Sequence, residues 1–388
     1  MSRLRQFLKN MRRRFQDYLW KSNGHVPPKL ALGLNQWLER GGNAAVREMR
    51  PDRVLTIAPP LIAGEAPAQH HPESKIPEEM RQTGSVTSIA YSAERLAVIP
   101  HGRVYSNKGL IVTPDSLQIQ DFSGGAFSGL FEHAFVCQGL LPSFRRVPGK
   151  VAVLATGLGD CNYYHWTVEN LPRIRLMEEA GISADCYFLP GRHPFHRDSL
   201  ELFGIASKAQ ILANDHTHVQ ADELVITSMV RSEITAENAS FLYQRMANTN
   251  WSKTKSTNRL RIYVARRPRS WRHVVNERML LAELSKYGFQ RYFLEELPLR
   301  TQIQLFQQAE FVIGPHGAGL TNLVYCNAGT KVIEIGSPIR PLGFFYFIAH
   351  HRGLPYLSFF GKAVGTERDE SNIEVDVPTL VRHFREME

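Results

Sequence analysis

The 388-residue chain has the composition of an ordinary globular protein, 43% hydrophobic and 21% charged, and a length typical of two or more domains. This composition excludes a wholly disordered, collagen-like or disulfide-scaffold chain, and no apolar run reaches the ~18–20 residues that a membrane-spanning helix needs. The four cysteines, Cys137, Cys161, Cys186 and Cys326, form no Cys-x-x-Cys pair. Their isolation favours buried thiols in a reducing compartment over a zinc ribbon or a redox motif.

The net charge of +9 is concentrated at the amino terminus. Residues 1–20 carry six arginine and lysine side chains against one acidic residue, Asp17, and their apolar residues recur at three- and four-residue steps. The pattern predicts a basic amphipathic helix over residues 1–22, which either lies on an anionic membrane surface or packs on the protein itself. A nucleic-acid-binding protein would spread its basic residues over a folded face, so this distribution disfavours that class.

The next two segments differ in their pattern. Residues 23–85 are rich in proline and glycine, which predicts an irregular linker with one short helix near Leu30–Arg40. Residues 86–250 contain short apolar runs separated first by turns and then by segments of helical periodicity, which predicts a first domain of strands and helices. The polar stretch Ser252–Asn258 is the expected domain boundary.

Residues 259–365 are predicted to form a second domain. Predicted strands alternate there with helices of about ten residues, which indicates a parallel, doubly wound α/β sheet that binds its ligand at the carboxyl ends of the strands. Residues 366–388 are expected to form a tail with a final helix at Val377–Met387. The predicted strands of the domain are Leu260–Ala265, Gln290–Leu294, Phe311–Gly314, Lys331–Gly336 and Tyr356–Phe359.

A glycine-rich turn after the strand Phe311–Gly314 is the most informative segment. A helix is predicted to start at Leu320, and the backbone N–H groups around such a turn suit an anion, above all a diphosphate, although a tight turn without a ligand is the alternative. The spacing matches neither Gly-x-Gly-x-x-Gly nor a P-loop, which disfavours a nicotinamide-binding enzyme and a nucleoside triphosphatase. The residues expected around the diphosphate are His316, Gly317, Ala318, Gly319, Thr321 and Asn322.

Two further features support a ligand at this edge of the sheet. Arg266 and Arg272 follow the strand Leu260–Ala265, where their guanidinium groups could bind the same phosphates bidentately or belong to a solvated basic loop. Glu334 is the single carboxylate in an apolar strand, and burial of an unpaired carboxylate is costly. We therefore expect donors beside Glu334, either the ribose hydroxyls of a ligand or a structural arginine.

A second group of polar residues follows the loop 157–160. His165 and Glu169 are four residues apart and share a face of a predicted helix, so they can form a general base with its orienting partner or an ordinary structural pair. Tyr164, Trp166 and Arg173 belong to the same segment and are expected on the side of the acceptor. The pattern Asp-His-x-His at 215–218 is a weak metal motif, and the sequence has no Asp-x-Asp.

These motifs resemble those of glycosyltransferase family 61. The likeness lies in Pro-His-Gly-Ala-Gly-Leu-Thr-Asn at 315–322, Ile-Tyr-Val-Ala-Arg at 262–266, Arg-His-Val-Val-Asn-Glu at 272–277 and, more loosely, the segment from His165 to Pro172. The resemblance covers roughly residues 150–360. It differs at Ala265, where the family commonly has serine, so one potential donor hydroxyl is absent.

The resemblance implies a fold of two Rossmann-like doubly wound domains facing a cleft, the glycosyltransferase type B. It also implies an inverting transfer, without metal or other cofactor, from a nucleotide-sugar to a hydroxyl of a saccharide or lipid-linked saccharide in capsule or other surface polysaccharide synthesis. Arg266, Arg272, His316 and the Gly317–Asn322 backbone would hold the donor diphosphate. Either Glu169 or His165 would be the base.

The lack of the anchors and secretory signals of eukaryotic members favours a cytoplasmic protein, peripheral at the inner face of the membrane. Two other functions stay open. One is a sugar-nucleotide epimerase on a similar frame, which needs no acceptor. The other is a protein that binds a nucleotide-sugar or polysaccharide without catalysis.

Overall fold

The computed structural model describes residues 31–64, 87–123, 143–228, 233–247, 259–268, 271–338, 343–365 and 371–388. The predicted helix over residues 1–22, Cys137 and the expected boundary Ser252–Asn258 lie outside them. The described residues form two units. The first draws on 31–52, 92–200 and 204–232, and the second on 53–91, 201–203 and 233–388.

The sheet of the first unit mixes parallel and antiparallel strands. Its strands are β1 (Ala31–Leu32), β2 (Ala45–Arg50), β6 (Glu94–Pro100), β7 (Arg103–Tyr105), β8 (Leu110–Val112), β9 (Gln118–Ile119), β10 (Arg145–Val153), β11 (Cys186–Pro190), β12 (Ala209–Ala213) and β13 (His218–Thr227). Strands β13, β10, β11 and β12 are parallel neighbours in this order, and β6 and β7 pair antiparallel with β13.

Alternation along these strands places one set of apolar residues in a common core. Val151, Phe188 and Leu224 from three neighbouring strands are buried there with Leu34 and Trp37. The last two lie on α1 (Leu34–Glu39), which confirms the short helix predicted near Leu30–Arg40. The other helices before residue 204 are α2 (Tyr163–His165), which continues as a π-helical turn (Trp166–Asn170), α3 (Pro172–Glu179) and α4 (Pro194–Leu202).

The sheet of the second unit is wholly parallel, as the strand–helix alternation predicts. The strands are β4 (Leu61–Gly64), β14 (Leu260–Val264), β15 (Phe289–Tyr292), β16 (Ala309–Pro315), β17 (Lys331–Gly336) and β18 (Tyr356–Phe360). Their order in the sheet is β15-β14-β16-β17-β18-β4. The described part of the chain is thus mixed α/β with parallel strands in both units.

Helices cover this parallel sheet. Apolar residues on one face, including Tyr263, Ile313 and Ile333, are buried with Leu280 and Leu380 from two of the helices. The helices are α5 (Ala236–Leu242) with a π-helical turn (Tyr243–Ala247), α6 (Glu277–Leu284), α7 (Leu299–Gln308), α8 (Phe344–Arg352) and α9 (Val377–Met387), with 3-10 turns at Ser285–Tyr287, Leu294–Glu296 and Ala318–Tyr325.

The segment 45–64 differs from the irregular linker expected of residues 23–85. It forms β2, β3 (Arg53–Ile57) and β4, and β3 pairs with β5 (Thr87–Tyr91). Pro51, Pro59 and Pro60 lie between these strands, where no ladder N–H is required, so they delimit strands rather than prevent them. Two short strands, β19 (Lys362–Val364) and β20 (Asn372–Glu374), pair antiparallel near the carboxyl terminus.

No helix among the described residues is long and apolar enough to cross a bilayer.

Candidate functional site

The order of the parallel strands marks a ligand-binding edge in the second unit. Strand β14 comes first in this part of the chain, and it lies between β15 on one side and β16 on the other. The connections from β14 and β15 therefore leave in opposite directions at the β14–β16 pair, the kind of switch point at which doubly wound sheets bind ligands. Arg266 follows β14 and His316 follows β16, so the sheet brings two of the predicted donor-binding residues to this point.

The turn after β16 exposes backbone donors. His316 N donates to Ile335 O at 2.8 Å, and Leu320 N donates to Gly317 O at 2.9 Å, which starts the 3-10 turn at Ala318 rather than an α-helix at Leu320. Within the part of the chain that the structure describes, the N–H groups of Gly317, Ala318 and Gly319 donate to no protein acceptor. Three adjacent N–H groups of this kind suit an anion.

Arg266 lies directly against this turn. Its Nη1 donates to His316 O at 3.3 Å and its Nε donates to Trp271 O at 2.9 Å. A Cβ atom on Gly317 would lie 1.8 Å from Arg266 Nη1, so the glycine leaves the room that the guanidinium occupies. Burial, and then the nearby charge of Arg272, lower the pKa of Arg266 from 12.5 to about 10.

Arg272 adds a second cation to the same place. Its charge also opposes protonation of His316, which puts it near both Arg266 and the turn. Arg272 adopts a left-handed backbone conformation, with φ of 62°, which is rare for a residue with a Cβ and recurs at functional sites. Two cations held together in a half-buried place repel each other, and a dianion relieves that repulsion.

Glu334 is held by two neighbours in the interior of the sheet. His316 Nδ1 contacts Glu334 Oε1, and Tyr356 Oη donates to Glu334 Oε2. These partners are a histidine and a tyrosine, not the arginine expected as the structural alternative. Burial lowers the pKa of His316 in spite of Glu334, and the charges of Arg272 and Arg266 lower it further. These effects disfavour the imidazolium form, and the Nδ1 proton lies on the side of the carboxylate.

Thr321 and Asn322 lie behind the turn and not on its surface. Both side chains are fully buried. Asn322 Nδ2 donates to Gln302 Oε1 at 2.9 Å and to Gly319 O at 3.1 Å, and Gln302 in turn donates to the carbonyls of Leu294 and Leu297. Asn322 therefore fixes the shape of the turn. Arg266, Arg272, His316 and the 317–319 backbone are the predicted donor-binding groups that come together.

In the first unit, His165 and Glu169 form a close pair. His165 Nδ1 lies 2.7 Å from Glu169 Oε1 across the π-helical turn, in which Leu171 N donates to Trp166 O at 3.1 Å. Asn162 caps the start of this helix by accepting from Tyr164 N at 2.9 Å. His165 is 8% exposed and Glu169 1% exposed, so the imidazole is the member of the pair that a substrate can reach.

The structure buries the three residues expected on the side of the acceptor. Tyr164, Trp166 and Arg173 are 5%, 0% and 1% exposed, because this helix is enclosed on all sides rather than on one face. Trp166 Nε1 donates to Ser199 Oγ at 2.9 Å, and Arg173 Nε donates to Glu169 O at 3.3 Å. Burial lowers the pKa of Arg173 to about 10 while Glu169 raises it, so this cation lies close to the Glu169 carboxylate.

A partly exposed aromatic group beside this helix is missed by the sequence reasoning. Tyr163 and Phe195 meet edge to face at 5.4 Å, and His193 stacks on Phe195 at 5.2 Å. His196 fixes this group because its Nδ1 accepts from His193 N and its Nε2 donates to Gly159 O at 2.9 Å. The sequence feature that could have indicated this group is His-Pro-Phe-His at 193–196, which follows the parallel strand β11.

No cluster of three or more histidine, cysteine, aspartate or glutamate side chains that could hold a metal occurs among the described residues. Of the weak motif at 215–218, His218 lies in β13 and packs against Tyr105 and Phe144 with ring centroids 5.6 Å apart in each case.

Comparisons with known proteins point to one family. The family model described as Glycosyltransferase 61 matches residues 163–333, which include both groups of residues above. An EGF domain-specific O-linked N-acetylglucosamine transferase of Drosophila melanogaster is 32% identical over 113 residues, 28% of this chain and 21% of the relative. The beta-1,2-xylosyltransferase RCN11 of Oryza sativa subsp. japonica is 43% identical over 58 residues, 15% of this chain and 11% of the relative. The matches thus span a minor part of each of these relatives.

Proposed function

We propose that the protein transfers a sugar from a nucleotide-sugar donor to a hydroxyl of a saccharide acceptor, on the premise that residues 163–333 match the model of glycosyltransferase family 61. The curated relatives carry the names of a sugar transferase to EGF domains and of a xylosyltransferase. Their shared feature is glycosyl transfer, and the identity of the sugar differs between them. The proposal therefore extends to the reaction class and leaves the donor sugar to experiment.

The observation that carries the proposal is the anion site at the β14–β16 switch point. Arg266 and Arg272 lie together beside three backbone N–H groups that have no acceptor among the described residues. As the glycosidic bond to the donor breaks, negative charge develops on the leaving diphosphate. Fixed cations and N–H dipoles stabilise that charge without reorganising, which lowers the barrier to transfer. We propose that they fill the role that a divalent metal has in other transferases.

On the acceptor side we propose His165 as the base. Glu169 Oε1 accepts from His165 Nδ1–H, which leaves Nε2 with the lone pair that can remove a proton from a hydroxyl. The hydroxyl oxygen then forms the new bond to the anomeric carbon as the bond to the diphosphate oxygen breaks. Attack from the face opposite the leaving group inverts the configuration. The buried carboxylate stabilises the imidazolium that results.

We further propose a type B arrangement of two Rossmann-like domains and a role in capsule or other surface polysaccharide synthesis. We also propose a lipid-linked acceptor and a cytoplasmic location at the inner face of the membrane. The basic segment 1–20 supports the last of these because six of its side chains are cationic and would be attracted to anionic lipid. If the segment binds a membrane, binding of the protein to anionic vesicles should depend on these cationic side chains.

The test is a screen of UDP-, GDP-, CMP- and dTDP-sugars with EDTA present. Release of the nucleotide (a nucleoside diphosphate, or CMP from a CMP-sugar), with water or an added saccharide as acceptor, and inversion at the anomeric carbon by NMR would support the proposal. The matched control is His165→Asn, which should bind the donor and release little product.

Two results would decide between this function and the alternatives. Conversion of the donor into an isomeric sugar nucleotide without acceptor would identify an epimerase. Donor binding without any product, in the presence of a broad set of saccharides and of added divalent metal, would identify a binding protein. Activity that EDTA abolishes and metal restores would overturn the metal-independent mechanism alone.

A further inference from the structure

Trp271 is left on the surface beside the anion site. It is 60% exposed, whereas the other tryptophans in the described part of the chain, Trp37 and Trp166, are 3% and 0% exposed. Burial of a tryptophan removes a large apolar area from water, so an exposed one forgoes a substantial stabilisation. Within the described ranges its ring has no aromatic partner and no cation over its face.

The backbone holds Trp271 close to the cations. Its carbonyl accepts from Arg266 Nε at 2.9 Å, while Nη1 of the same guanidinium donates to His316 O at 3.3 Å. The next residue, Arg272, has the left-handed φ of 62°. One guanidinium group therefore ties the backbone of Trp271 to the turn at His316 and Gly317.

The chemistry of this neighbourhood fits a nucleotide. A diphosphate meets the two arginines and the free N–H groups, and in a nucleoside diphosphate a ribose carries an aromatic base a short distance further on. An exposed indole can stack on the flat face of any base, with little dependence on sequence or hydrogen bonding. We propose that Trp271 is the stacking surface for the donor's nucleobase, which makes the site selective for a nucleoside diphosphate over a simple diphosphate.

The proposal rests on the proposed function, since it assumes that the anion site holds the donor. A protein or a lipid bound at this surface would contact a larger area than a nucleobase does. Val275 and Met279, the next exposed large apolar residues along the chain, are 42% and 58% exposed, and a protein or lipid contact would include them with Trp271. What favours the nucleobase is that Trp271 alone among the three accepts from the guanidinium group of the anion site.

The experiment compares two probes on three proteins. Binding of UDP and of inorganic pyrophosphate is measured by calorimetry for the wild type, Trp271→Ala and Met279→Ala, and then repeated with GDP and dTDP. Removal of the ring should weaken nucleoside diphosphate binding ~5- to 150-fold, the usual effect of losing one base–aromatic stack, and leave pyrophosphate binding unchanged. Met279→Ala, an exposed apolar residue of α6, should change neither affinity.

Fluorescence gives a second readout. Saturation of the wild type with UDP should quench part of the tryptophan emission, and Trp271→Phe should lose that quenching while it keeps most of the affinity. Equal affinity of the wild type and Trp271→Ala for all three nucleotides would overturn the stacking proposal and leave the donor site standing. If the wild type bound neither pyrophosphate nor any nucleoside diphosphate, both proposals would fail.

Discussion

Each unit contains a histidine whose Nδ1 meets a buried glutamate, and the surroundings of the two pairs differ. His165 and Glu169 lie on one helix, and Arg173 Nε donates to the backbone carbonyl of Glu169. His316 and Glu334 lie on a turn and an adjacent strand, with Tyr356 on the second carboxylate oxygen. The same pair of side chains can therefore be used in two ways, depending on the position of the neighbouring cations.

The difference lies in where the positive charge is. At the first pair, burial lowers the pKa of Arg173 while the Glu169 charge raises it, so a cation acts on the carboxylate. At the other pair, burial lowers the pKa of His316, Glu334 opposes that shift, and the charges of Arg272 and Arg266 lower the pKa further. We infer that an anion bound at Arg266 and Arg272 favours protonation of the second histidine, whereas the first is the one that we propose as the base.

The largest effect is expected at the first pair. His165→Asn should lower the rate of sugar transfer by about 10²–10⁴-fold, the usual contribution of a positioned base, and leave donor affinity unchanged. Glu169→Gln should lower the rate too, because the amide no longer stabilises the imidazolium. Steady-state kinetics with donor binding by calorimetry checks both variants. Normal turnover by His165→Asn would exclude this histidine as the base.

The next effect concerns the cations of the second unit. Arg266→Ala should weaken donor binding ~10- to 150-fold, as expected for a lost hydrogen bond to a charged group. Gly317→Ala should have a similar effect because its Cβ would occupy the position of Arg266 Nη1. The double variant should be no weaker than either single one, since both remove the same interaction.

Gly314→Ala is the matched control for the comparison of Arg266→Ala, Gly317→Ala and the double variant. A Cβ there would lie 2.8 Å from Val264 Cβ and 3.0 Å from Val264 O, so it meets a strand rather than the end of a flexible side chain. We expect a lower melting temperature for this variant. Additive losses of affinity for Gly317→Ala and Arg266→Ala would contradict the proposed contact between turn and guanidinium.

A smaller effect is expected at His316. Its pKa is lowered in the free protein, and a bound diphosphate that neutralises Arg266 and Arg272 should raise it, so binding should take up a proton. Affinity for a nucleotide-sugar, whose phosphates are diesters and do not titrate near neutrality, should rise as the pH falls from about 8 to about 6. Calorimetry in buffers of different ionisation enthalpy measures the proton, and His316→Gln should abolish its uptake.

The smallest effect concerns stability alone. Burial lowers the pKa of His196 from 6.5 to about 4, so this ring is neutral in the folded protein while the unfolded chain binds a proton below pH 6.5. The free energy of unfolding should therefore be greatest above pH 6.5 and fall as the pH drops towards 4. Thermal unfolding between these pH values should show a shallower decline for His196→Gln. An equal decline would assign the acid sensitivity to other groups.

The sequence predicts the second unit better than the first, for a physical reason. In a parallel sheet every strand is bounded by turns and helices along the chain, so Arg266 and His316 could be placed at one edge from local patterns alone. The partner of Glu334 could not, because Tyr356 comes from the neighbouring strand β18 and its identity depends on the sheet order.

The burial of individual side chains was the second feature that the sequence could not predict. The spacing of His165 and Glu169 correctly predicts their contact, even though a π-helical turn joins them. The same spacing does not predict that Trp166 and Arg173 are buried. Polar and apolar residues alternate around this helix, so its sequence does not indicate which face is exposed to solvent. The pairing of β4 with β18 is likewise invisible in local patterns, because it joins residues such as Leu61 and Leu357 that are far apart along the chain.

The pairing of β4 with β18 also affects the order in which the sheets can form during synthesis. The stretch from Ala45 to Gly64 supplies β2 to one sheet and β4 to the other, so neither layer closes without it. During synthesis β4 emerges early and must wait for β18, one of the last strands to be made. A chain begun after Tyr91 would leave the ladder of β18 open on that side, and an open ladder of this kind recruits other chains and promotes aggregation.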